Sequence, residues 1–227
     1  MKPVRAPVVS LVVLALFAAL VGCAGTPTPD WQVNAGSALQ RMQEALLVGN
    51  DRVATNEYQR ARAEVARTGR PDLAARVELL RCAAWTASLQ FEPCAGFERL
   101  RLDAGAAELA YAAYLRGRLD AAQRSLLPPA QQPLAVAAGD EAAQLAALNA
   151  TTDPLSRLLG AALWLQGGHA APASIALAVD TASAQGWRRP LLAWLAVQQQ
   201  RARQAGASAE ASRIGRRIEL VLRGEGG

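Results

Sequence analysis

Apolar residues along the chain recur at helical spacing. Ala54, Tyr58, Ala61 and Val65 lie four, three and four residues apart, and Leu73, Val77, Leu80 and Ala84 repeat that spacing. Ala211, Ile214, Ile218 and Val221 form a third stripe. Such spacing lines one face of an α-helix, and the alternation expected of a half-buried strand is missing. Breakers separate the stripes. Gly49 ends a first helix that begins near Asp30-Trp31, and "RTGRPD" divides a second helix from a third, with Pro71 suited to a first turn. Asp153-Pro154 has the pattern of an N-cap followed by the first helical residue, and Arg189-Pro190 opens another helix after Gly186. Three prolines make "SLLPPAQQP" at 125–133 a loop. The pattern predicts an all-α body over residues 31–227, with ten or eleven helices and no strand.

Four stretches share a theme of helix end, glycine, polar turn and alanine-rich helix. They are "LLVGNDRVA", "YLRGRLDAA", "WLQGGHAAPA" and "RQAGASAEA". Gly49 and Gly117 lie 68 residues apart, twice the period of tetratricopeptide repeats. "EALLVGNDRVATNEYQRARAEVARTGRPD" resembles one such repeat through Gly49, Ala54, Tyr58, Ala61 and Pro71, and "AYAAYLRGRLDAAQRSLLPP" resembles a second. The resemblance is best over residues 38–128. The consensus tryptophan is missing from both copies, and the later glycine spacings of 50 and 39 break the period. It implies antiparallel helix hairpins, stacked either as a solenoid like that of tetratricopeptide proteins or as a compact helical bundle.

The first residues follow a different pattern. Lys2 and Arg5 precede an uncharged apolar run from Ala6 to Val21. The run is short for a transmembrane helix and ends in small residues, so residues 1–22 read as a signal peptide. Leu20-Val21-Gly22-Cys23 resembles the lipobox of bacterial lipoproteins. The alternative is an ordinary secretory peptide with a chance cysteine. The resemblance implies a diacylglyceryl thioether on Cys23, cleavage before it and acylation of the new amino group, with no other cofactor. Ala24 in place of aspartate implies the outer membrane, with the body facing the periplasm. Residues 23–30 then form a lipidated tether, kept extended by its prolines and threonines. The chain as a whole resembles uncharacterised lipoproteins of Gram-negative bacteria.

Processing reduces the net charge from +5 to +3, because Lys2 and Arg5 leave. No basic tail or block of like charges follows, and export argues against nucleic acid as a partner. Export also bears on Cys82 and Cys94. With Cys23 accounted for, they are an even pair in an oxidising compartment and are expected to bond to each other. Two buried free thiols are the alternative.

Little chemistry emerges, and no catalytic or metal-binding set is expected. His169 is the one histidine and falls in a turn, where capping is the simpler role. Asp51 with Glu57, Glu92 with Glu98, and Asp140 with Glu141 are the closest acids. A carboxylate pair could cut glycans, but these lie at helix starts, where acids favour the helix dipole. Trp187, Arg188, Arg189 and Trp194 combine the residue types that anchor interfaces. They are the candidate partner-binding set, and core packing of both tryptophans is the other reading. The expected role is a noncatalytic interaction or scaffold module for another envelope protein. A cell-wall enzyme or accessory factor, and a carrier of a small apolar ligand, are the alternatives.

Overall fold

The computed structural model describes residues 27–137 and 140–224. Cys23, Ala24 and the signal segment 1–22 lie outside the described residues. Within them the chain is all-α, with ten α-helices and no strand. In chain order these are α1 (Asp30–Val48), α2 (Asp51–Ala66), α3 (Pro71–Ala87), the short α4 (Ala95–Glu98) and α5 (Ala106–Leu115). They continue with α6 (Glu141–Ala150), α7 (Pro154–Gln166), α8 (Pro172–Ala184), α9 (Arg188–Gln204) and α10 (Ser208–Arg223). Short 3-10 turns cover Arg101–Asp103 and Ala121–Leu126. Among the described residues no helix is long and apolar enough to cross a membrane.

The turn signals act as the sequence predicts. Gly49 takes a left-handed φ of 90°, which ends α1, and the Asn50 side chain accepts a hydrogen bond from the Val53 amide at 3.2 Å to start α2. That turn sets α1 and α2 antiparallel as the most closely packed pair. Asp153 caps α7 by accepting from the Ser156 amide at 2.7 Å, with Pro154 as the first helical residue. Helix α9 begins at Arg188, two residues before Pro190.

The second repeat-like stretch departs from the pattern. Asp120 and Gln123 form a capping box after Gly117, but only a six-residue 3-10 turn follows. Pro128 and Pro129 come too soon. Proline keeps the residue before it out of the helical region, and Leu127 is extended at φ −72°, ψ 155°.

The architecture is a closed bundle. In a solenoid each repeat touches only its neighbours. Here α9 returns to α1: the Trp187 indole donates to Glu44 Oε2 at 3.0 Å, and Arg189 Nε donates to the Leu46 carbonyl at 2.7 Å. One continuous core therefore runs from Met42 and Leu47 through Tyr58 and Trp194 to Ile214. A second, smaller core gathers Leu79, Phe97, Tyr114, Leu127 and Leu163. Helices α3 and α7 feed both cores, so each is apolar on more than one side. The Cys82–Cys94 disulfide, with Cα atoms 5.9 Å apart, fastens the segment before α4 onto α3.

Candidate functional site

An open cleft lies over α3, beside α5. Its volume is about 770 Å³, within the roughly 300–1,000 Å³ of small-molecule sites. Leu79 and Leu80 of α3 supply its floor, and Leu126, Leu127, Pro128 and Pro129 supply one wall. Both prolines hold that wall off the helical path, and Leu126 is 41% exposed at the rim. The first turn of α7 closes the end with Asp153, Leu155 and Ser156, and Gln43 reaches in from α1.

Polar groups converge on this apolar lining. Gln131 Nε2 donates to the Tyr111 hydroxyl at 3.3 Å and to Ser156 Oγ at 3.2 Å. Its Oε1 is buried without a hydrogen-bond partner. Turning the amide over would let both hydroxyls donate to the oxygen, but the nitrogen would then stand where Oε1 now lacks a partner. Either way one end of a buried amide goes unpaired, a condition that costs free energy. Burial first, with the Asp153 charge adding to it, pushes the Tyr111 phenol up to about 12, against the opposing effect of the Gln131 hydrogen bond. Tyr111 therefore stays a neutral donor across physiological pH.

The two carboxylates at the cleft are both engaged. Glu108 accepts from Arg76 Nε, and Asp153 caps α7. Such an arrangement can hold an apolar body and hydrogen-bond one or two amide or hydroxyl groups along it. Gln131, Tyr111 and Ser156 are the polar positions that sequence reasoning missed. Their one signal was the proline-rich loop at 125–133, which marked a loop but no lining.

The residues singled out from sequence are dispersed. Trp194 is fully buried, and its indole donates to the Ala87 carbonyl at the end of α3 at 3.1 Å. Trp187 is buried against α1. Arg189 holds the end of α1, pairs with Asp51 and stacks over Trp85 with its guanidinium carbon 4.4 Å from the ring centroid. Arg188 lies by the Gly49 turn, with its guanidinium 3.1 Å from where a Gly49 Cβ would stand. This set therefore joins α9 to α1 and α3 within the chain, and both indoles are inside it.

His169 is exposed in the turn after α7, where its carbonyl accepts from Gln144 Nε2 at 2.9 Å. It borders a smaller pocket of about 430 Å³, shared with Tyr114. Of the acids read as solvated helix starts, Glu57 is instead buried between Arg41 and Arg60. Glu98 holds Arg101 and Arg116, and Asp140 caps α6. Among the described residues no group of three or more histidine, cysteine or acidic side chains is placed to hold a metal.

No protein-family model, curated protein or solved structure matches this chain.

Proposed function

We propose that this protein is an outer-membrane lipoprotein, anchored through acylated Cys23, whose periplasmic helical body holds a segment of another envelope protein without catalysis. The anchor rests on "LVGC" at the end of a charged-then-apolar leader. The single observation that carries the interaction role is the cleft over α3. It pairs an apolar floor with Gln131, Tyr111 and Ser156, groups suited to backbone amides along an extended chain.

The test is site-specific photo-crosslinking in intact cells, with a photoreactive residue replacing Ala130 at the cleft. The expected result is one dominant adduct with an envelope protein, absent when the same residue replaces Thr55 on α2. Equal labelling from both positions would count against the reading. A second reading, the small-ligand carrier, draws on the cleft volume. Native mass spectrometry of protein extracted from membranes separates the two, because a carrier retains a small molecule of defined mass.

A further inference from the structure

The charge of the body is unevenly divided, although its total is small. Residues 30–187 carry fourteen arginines against sixteen carboxylates. Residues 188–223, helices α9 and α10, carry eight arginines against two carboxylates, a net of +6. No run of more than two like charges announces this in the linear sequence.

Helix α10 is two-sided. Ile214, with Ala211, Ile218 and Val221 beside it, faces inward, and Gln199 of α9 donates to the Ala211 carbonyl at 3.0 Å. The opposite face presents Ala209, Arg213, Arg216, Glu219, Leu220 and Arg223, with the half-buried Arg217 at its edge. Arg213 is paired with Glu210, and Arg223 with Glu219. Arg216 and Arg217 form no ion pair within 4 Å among the described residues, although the Arg217 charge reaches Glu210. Leu220 stands among these guanidinium groups, 70% exposed.

We infer that this outer face of α10 docks on the anionic phospholipid surface of the membrane to which the chain is tethered. The inference rests on the lipoprotein reading above. Guanidinium groups match phosphate geometry and keep their charge at any physiological pH. Basic residues close to an anionic bilayer are drawn to it over about a Debye length, roughly 8 Å at physiological salt. The tether supplies that proximity. Asp30, the start of α1, lies seven positions after Cys23, so even fully extended that stretch spans about 25 Å. The inward stripe of α10 is already buried on the body. The helix therefore sits among headgroups through its arginines, with Leu220 as the apolar contact, and does not insert. Docking of this kind would fix which way the cleft faces.

The test uses the full mature chain in vesicles. A fluorophore is placed by Ala209→Cys on the basic face, or by Thr55→Cys on α2 as a control, and read by quenching from headgroup-nitroxide lipid. Flotation first reports whether the chain stays on the vesicles. With phosphatidylglycerol present, position 209 should quench at least threefold more than position 55. The difference should vanish in pure phosphatidylcholine, and at about 1 M salt, where the screening length falls to about 3 Å. The double variant Arg216→Gln, Arg217→Gln should float equally well yet lose most of the excess quenching. Equal quenching at the two positions on a chain that floats overturns the docking and leaves the anchor standing. A chain that floats with neither vesicle overturns both.

Discussion

Gly96 lies against the buried Glu78 carboxylate, and a Cβ there would overlap it. Glu78 cannot easily withdraw, because it accepts from the Tyr58 hydroxyl at 2.6 Å and pairs with Arg62 at 3.6 Å. Gly96→Ala should therefore cost about 1–3 kcal/mol, seen as a lowered thermal midpoint; an unchanged midpoint would mean that Glu78 has room to move. Glu98 offers a pH readout. The hydrogen bond from Arg101 first, with the nearby Arg116 charge, holds its carboxyl below the usual 4.5. A depressed carboxylate stabilises the fold above its ordinary range, and that contribution is lost as pH falls through the lower, folded-state midpoint. The effect is small because Glu98 is partly exposed, so NMR titration of its side chain is the measurement, with a midpoint under 4.5 expected. At this scale residue type was informative and location was not. Trp187, Trp194 and Arg189 stood out by residue type, with partner binding and core packing both open. Their partners, Glu44, Ala87 and Leu46, are distant in sequence, and only the fold shows that the anchoring is internal.

Helix boundaries were legible where one residue dictates the backbone. Gly49, Pro71 and Asp153-Pro154 start or stop helices by local geometry and need no tertiary information. The stretch after Gly117 was not legible in the same way. Its capping box is a real start signal, but two prolines a few residues on leave room for only a 3-10 turn. The cleft was hidden for a related reason. Its apolar residues on α3 and α7 carry the same helical periodicity as core residues, and only assembly leaves them open to one side. The Cys82–Cys94 bond followed from cysteine parity together with export, and it closes a short loop. The double variant Cys82→Ala, Cys94→Ala should lose about 3 kcal/mol by the chain-entropy model. Denaturant unfolding with and without reductant checks this: reductant should destabilise the parent and leave the variant unchanged.

For the molecule as a whole, the hairpin theme, best over residues 38–128, fitted either a solenoid or a compact bundle, and α9 returns to α1 and closes the bundle. Sequence could not distinguish the two, because both need the same amphipathic stripes. The closed body presents a cleft over α3 and a basic face on α10, and the proposed anchor at Cys23 would bring both to the membrane. That anchor is therefore the claim on which the functional account depends most. Its most direct test is the intact mass of the chain extracted from the membranes of its own cells. The account predicts a chain that begins at Cys23 and carries a diacylglyceryl group with a further acyl chain. A chain that begins elsewhere, or that begins at Cys23 without lipid, would contradict it.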